Sequence, residues 1–196
     1  MDTSGDALDS SGNDFDGTVI GATQSATGVT LDGVNDEVIN TEAALTTALA
    51  GISVYTVFVR ASSSAFTSFD ATFSMGDSND NDAFSMYCYD SAAGNGCQIW
   101  IDGSVIMSGA GTAPADGTNA DFCFVSRSAT DQELFVDGVS EDTSVTSKSL
   151  AASFDGVTLG RYIGNGEWFA GGVQELIIYD RALTDAQILA LTQRYL

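Results

Sequence analysis

Histidine is absent from the 196 residues, and proline occurs once, at Pro114. The first absence removes an imidazole general base, a Ser-His-Asp triad and imidazole metal ligands from any chemistry considered. Basic residues are scarce as well: Arg60, Arg127, Lys148, Arg161, Arg181 and Arg194 stand against 27 Asp and Glu, for a formal charge of -21. Nucleic acid and anionic membrane surfaces require a basic patch, so neither is an expected partner. No apolar run approaches the roughly 18 residues of a membrane helix, so no membrane insertion is expected. The opening MDTSGDALDSSG has neither a basic n-region nor an apolar h-region, and no secretory signal is expected from it. A role outside a cell would then mean excision from a longer chain, another export route or release by lysis.

What is present is a folding sequence. Hydrophobic content of 44%, with 11 Phe, 6 Tyr and 2 Trp, excludes a disordered acidic tail. The length fits one domain over 1–196, large enough to bury a core without staples. The acidity hydrates the surface, holds monomers apart and offers oxygen ligands to a hard cation such as Ca²⁺. Three cysteines cannot all pair within one molecule. Cys88 and Cys97 flank SAAGNG, a hairpin-like loop, and are placed for a disulfide across it; the alternative is three small semi-buried thiols.

Short runs rich in Val, Ile, Phe, Tyr and Thr, separated by Gly, Asn, Asp and Ser, predict strands. They cover 17–22, 28–32, 36–40, 52–60, 69–75, 84–90, 97–101, 104–108, 121–127, 133–137, 144–149, 156–161 and 172–179. Such regular spacing predicts an all-β sandwich or barrel. An apolar residue followed by Asp-Gly recurs at Phe15, Leu31, Ile101, Val136 and Phe154. Asp102-Gly103 and Asp137-Gly138 fall between β-like runs and predict type I′ hairpins, because both residue types tolerate positive φ. The Asp32 copy extends over Gly33-Val34-Asn35-Asp36, and the Asp155 copy is better placed at a strand entrance.

In YDRALTDAQILALTQRYL, Thr184 and Gln187 form a capping box, and Ile188, Leu191 and Tyr195 recur on one helical face. A shorter helix or a loop is expected at TEAALTTALAG, with Gly51 as its stop. The stretches 77–82 and 109–119 have the length of loops.

Sites follow from residue type and spacing. Sugar recognition needs an exposed aromatic for the apolar face of the ring, beside amides and carboxylates for its hydroxyls. Tyr162, Asn165, Glu167 and Trp168 in GRYIGNGEWF form such a cluster, with packing against the last strand as the alternative for Trp168. Trp100 alternates with Ile99 and Ile101 and faces one sheet surface or the other. Asp77, Asn79 and Asn81 imitate a calcium loop, but Asp82 and Cys88 stand where an EF-hand has Gly and Glu, so a solvated loop is expected. Glu133 and Asp137 share a strand face, yet Asp137 belongs to a turn, and no catalytic role is assigned to the pair.

The order SSGNDFDGTVIGAT, LDGVNDEV, SVYTVFVRA, ELFVDGVS, VTLGRYIG and FAGGVQELIIYDRALTDAQI resembles the laminin G-like branch of the concanavalin A-like lectin/glucanase superfamily. The resemblance runs from about Asp9 to the C-terminus. It implies a two-sheet antiparallel jelly-roll sandwich with a short C-terminal helix, the last strand and helix closing the structure near the N-terminus. It also implies rim calcium sites, which here match Asp32, Asn35 and Asp36, or the region of Asp9, Asn13 and Glu175. Glucanases of this superfamily carry Glu-x-Asp-x-x-Glu on one strand, a spacing this sequence lacks, and lyases that need His are disfavoured. The resulting expectation is a non-catalytic surface-interaction module, with no cofactor except Ca²⁺ as an option. The setting expected first is a virion surface, as a capsid-decorating or fibre-associated phage protein. Its partners there are a capsid or tail protein, host glycans or further copies in a homo-oligomer. The alternative is a calcium-dependent carbohydrate-binding or adhesion module of a bacterial extracellular protein, and the third reading is a glycan-cleaving enzyme of the same fold.

Overall fold

The computed structural model describes residues 6–64, 70–77, 83–89, 96–109, 117–147, 150, 152–164 and 166–195. The first strands are β1 (Asp6–Ala7), β2 (Gly17–Ile20), β3 (Thr23–Ser25), β4 (Gly28–Asp32) and β5 (Glu37–Asn40), followed by helix α1 (Ala43–Leu49). The middle of the chain forms β6 (Tyr55–Ser63), β7 (Asp70–Gly76), β8 (Phe84–Tyr89), β9 (Gly96–Ile101) and β10 (Ser104–Gly109). Then come β11 (Ala120–Ser128), β12 (Asp131–Val136), β13 (Val139–Ser144), β14 (Gly156–Leu159), β15 (Ala170–Tyr179) and helix α2 (Asp185–Thr192).

These strands make two antiparallel sheets, an all-β jelly-roll sandwich. One has eight strands in the order β1-β2-β5-β14-β7-β8-β9-β10, and the other seven in the order β13-β12-β11-β6-β15-β4-β3. Alternation along the strands puts one set of side chains between the sheets. Val57, Val59, Phe122, Phe124 and Leu134 from the seven-stranded sheet meet Phe73, Met75, Phe84, Met86, Ile99 and Ile101 from the other. Phe84 packs on Phe124 with ring centroids 5.1 Å apart, and Tyr55 lies 5.5 Å from Phe124.

Local chemistry accounts for the turns. Asp102 and Gly103 join β9 to β10 at φ 54° and 63°, and Asp137 and Gly138 join β12 to β13 at φ 50° and 78°. Both are the type I′ hairpins that Asp-Gly favours. Gly17 and Gly156 instead open β2 and β14. The Asp32 copy lies between β4 and β5, which belong to different sheets, so it turns a corner of the sandwich.

Helix α2 begins with the capping box, Thr184 accepting from the Gln187 amide and the Gln187 side chain accepting from the Thr184 amide. Ile188 and Leu191 pack with Phe58, Cys123, Val125 and Phe135, the outer face of the seven-stranded sheet. The side chain of Tyr195 lies outside the described residues. α1 is helical up to Leu49, and Gly51 follows at φ +69°. Among the described residues no helix is long and apolar enough to cross a membrane, which says nothing of β-barrels.

Two expectations need correction. The strand expected over 144–149 is β13, Val139–Ser144; its sequence VSEDTS is a polar, largely exposed edge without the apolar alternation that marks a strand, whereas Val145 is 81% exposed. Residues 148–149 lie outside the described residues. The short edge strands β1 and β3 carry too little apolar signal to have been found. Finally, β15 is central in its sheet between β6 and β4, while β1 is at the edge of the other sheet. The last strand pairs with β4, from the N-terminal part of the chain, while the edge strand β1 pairs with β2.

Candidate functional site

Parity fixes the site. Phe84, Met86, Cys88, Ile99 and Ile101 point into the core, so Ser85, Tyr87, Gln98 and Trp100 stand on the opposite face of the β8–β9 hairpin. Register sets Ser85 opposite Trp100 and Tyr87 opposite Gln98. The Trp100 indole N–H donates to Gln98 Oε1 at 3.1 Å, and Gln98 Nε2 lies 3.4 Å from Ser108 Oγ, which fixes the ring's orientation. Tyr87 meets Trp100 edge to face at 5.8 Å.

The second wall is the segment between β14 and β15, folded back over the sheet. Buried hydroxyls hold it there: Ser74 Oγ and Thr158 Oγ1 donate to the Arg161 carbonyl at 3.1 and 3.0 Å, and the Ile163 amide donates to Ser74 Oγ at 2.7 Å. The Phe169 amide donates to the Gly160 carbonyl and the Ala71 amide to the Glu167 carbonyl. Gly160 starts this segment at φ +91°, with Leu31 and the Asp36 carbonyl where a Cβ would stand.

Between hairpin and segment lies a cavity of about 220 Å³, lined by Ala83, Ser85, Tyr87, Trp100, Gly103, Tyr162 and Glu167. Ligand clefts for drug-sized molecules run to about 300–1,000 Å³, so this one suits a smaller unit. The Tyr87 hydroxyl donates to Glu167 Oε2 at 2.6 Å. Burial, then the Glu167 carboxylate, pushes the Tyr87 phenol well above its usual range, and the same two causes raise that of Tyr162. Both phenols thus remain donors at neutral pH. Ser85 Oγ is buried with no hydrogen-bond partner, although the Tyr87 hydroxyl is near enough to feel it. The walls therefore combine aromatic surface, neutral hydroxyls and one exposed carboxylate.

Of the four residues expected to bind sugar, Tyr162 and Glu167 line this cavity. Trp168 does not: it is half-buried, bridged in parallel to Ala71, with the Arg161 guanidinium 5.7 Å from its ring centroid. Asn165 lies outside the described residues, as do Asn79, Asn81 and Asp82. Sequence reasoning missed Tyr87 and Ser85, whose strand FSMYCY alternates without showing which face is outward.

The other candidates resolve differently. Asp32 Oδ1 accepts from the amides of Val34 and Asn35, and Asp36 Oδ2 accepts from the Asp32 amide, so these carboxylates brace the corner between the sheets. Asp9 likewise accepts from the Ser11 and Phe15 amides, and Glu175 pairs with Arg194 at 2.8 Å. Among the described residues no three His, Cys, Asp or Glu side chains come together as a metal would need. Cys88 and Cys97 are register partners, as placed from the loop, but both are buried free thiols, as is Cys123. Thr72 Oγ1 donates to Cys88 Sγ at 3.0 Å, and burial pushes the Cys88 thiol up to about 12.

Known proteins share this architecture. Domain 4 of AbnA, an extracellular arabinanase from Geobacillus stearothermophilus solved with arabinotriose, superposes with a TM-score of 0.68 at 18% identity, covering 90% of this chain and 82% of that one. The CBM40 of the Ruminococcus gnavus IT-sialidase gives 0.65 at 17% identity over 89% and 97%, and has also been solved with sialyllactose. A heptameric SAP-like pentraxin from Limulus polyphemus gives 0.61 at 21% identity over 74% and 71%. No curated protein sequence matches the chain. The laminin G family model described as Concanavalin A-like lectin/glucanases superfamily matches residues 32–189. With the family matched over most of its length and the fold of carbohydrate-binding modules and pentraxins, the chain belongs to the concanavalin A-like lectin/glucanase superfamily.

Proposed function

We propose that this protein is a non-catalytic glycan-binding module that takes one sugar unit in the cavity of Tyr87, Trp100, Tyr162 and Glu167. The observation that carries it is the pairing of a half-buried, oriented Trp100 lining the cavity with the Tyr87–Glu167 hydrogen bond across it. The ring of a sugar presents apolar C–H faces to an indole and hydroxyls to its rim, and the walls offer both in the same space. Similar modules solved with arabinotriose and sialyllactose support the reading.

Hydrolysis is a poorer fit. Glycoside cleavage uses two carboxyl groups about 5–9.5 Å apart across the scissile bond. Among the described residues the cavity has one carboxylate, Glu167. A virion setting with a capsid or tail partner draws no support from the fold or from the similar proteins, and an extracellular or cell-surface place, where glycans are, fits better. Calcium at Asp32, Asn35 and Asp36 would sit at the sheet corner and is not required for stacking on Trp100.

A glycan array tests the function. The wild-type chain is expected to bind a defined set of glycans, and Trp100→Ala to weaken that binding at least about tenfold while the chain remains folded at the assay temperature. No binding to any glycan, or full binding by the variant, overturns the reading.

A further inference from the structure

We infer that the cavity selects neutral sugars and rejects a terminal unit bearing a carboxylate; this deepens, and rests on, the glycan-binding reading. Among the described residues the cavity wall carries one formal charge, that of Glu167. Its Oε2 accepts the Tyr87 proton, and a carboxylate is an acceptor only, so what it can take from a ligand is a donated hydroxyl hydrogen. Ser85 Oγ, buried beside the Tyr87 hydroxyl, can donate or accept. A neutral sugar hydroxyl also does both. A carboxylate on the same unit would sit beside the exposed Glu167 carboxylate as a like charge, which opposes binding.

A cation could cancel that repulsion, and the sequence places one next door, Arg161. Its bonds lead elsewhere. Nε pairs with Glu37, Nη1 donates to the carbonyls of Tyr162 and Ile163 at 3.3 and 3.4 Å, and the guanidinium lies over Trp168. Arg161 is absent from the cavity lining, and so is every other Lys or Arg among the described residues. The formal charge of -21 adds a long-range field of the same sign, which salt screens.

The test pairs each neutral oligosaccharide with its derivative carrying sialic acid or a uronic acid as the terminal unit. Binding of the full chain is titrated at low and high salt, for wild type and Glu167→Gln. The wild type is expected to bind the neutral member at least about tenfold more tightly, with the gap narrowing in salt and in E167Q. Equal or tighter binding of the acidic members overturns the inference and leaves the glycan-binding reading standing. An unchanged ratio of neutral to acidic affinity in E167Q, whatever the absolute affinity, overturns the role given to Glu167. Failure of every glycan, neutral and acidic, removes both readings together.

Discussion

Asp121 shows how one buried carboxyl can set a pH response in an acidic chain. It lies on β11 opposite Arg60 of β6, 2% exposed, with its oxygens 2.9 and 3.1 Å from Arg60 Nη1. Burial pushes its pKa up to about 6, Arg60 pulls the other way, and Asp137 and Glu175 push it up further. Between its ordinary value of 3.8 and about 6, the folded chain therefore holds a proton that the unfolded chain has released. Its contribution to stability is greatest below that window and declines as pH rises through it. Denaturant titrations from roughly pH 4 to 7 are expected to show the wild type losing stability relative to Asp121→Asn as pH rises. The opposite slope would mean that Arg60 outweighs burial. Residue-scale signals of this sort are invisible in sequence, because Arg60 and Asp121 are 61 positions apart.

At the scale of elements, turns and caps were the most legible features. Asp102-Gly103, Asp137-Gly138 and the Thr184–Gln187 box depend on neighbours within four residues, and the chain adopts each as its local chemistry dictates. The jelly roll followed from the order of many short strands and from the resemblance. The cavity did not, since it joins a hairpin to a segment 80 residues away through Tyr87 and Glu167. The alternation in QIWI shows that Trp100 opposes Ile99 and Ile101, but only the facing sheet decides which side is core. Trp168 looked like the platform because it stands in a Gly-rich loop beside Tyr162 and Glu167; instead it bridges Ala71 and lies under the Arg161 guanidinium. Gly160 makes the segment's role testable. An added Cβ there would lie 2.9 Å from Leu31 Cδ2 and 3.0 Å from the Asp36 carbonyl, at φ +91°. Gly160→Ala is expected to cost ~2 kcal/mol, lowering the melting temperature by about 4–8 °C and weakening glycan binding. An unchanged melting curve would refute the constraint.

The whole molecule has two outer faces with different uses. Helix α2 covers Phe58, Val125 and Phe135 on the seven-stranded sheet, completing a second small core there. The eight-stranded sheet keeps Trp100 and Tyr87 at an open cavity, closed on one side by the segment before β15. The acidity adds a field that opposes anionic ligands, the same direction as the selectivity inferred for the cavity. The central claim is that a glycan seats on Trp100. With two tryptophans in the chain, nuclear magnetic resonance of their indole N–H groups during titration with an array-selected neutral oligosaccharide reads it directly. The account predicts a saturable shift of the Trp100 resonance, with Trp168 moving far less. A glycan that binds while leaving the Trp100 resonance in place would contradict it.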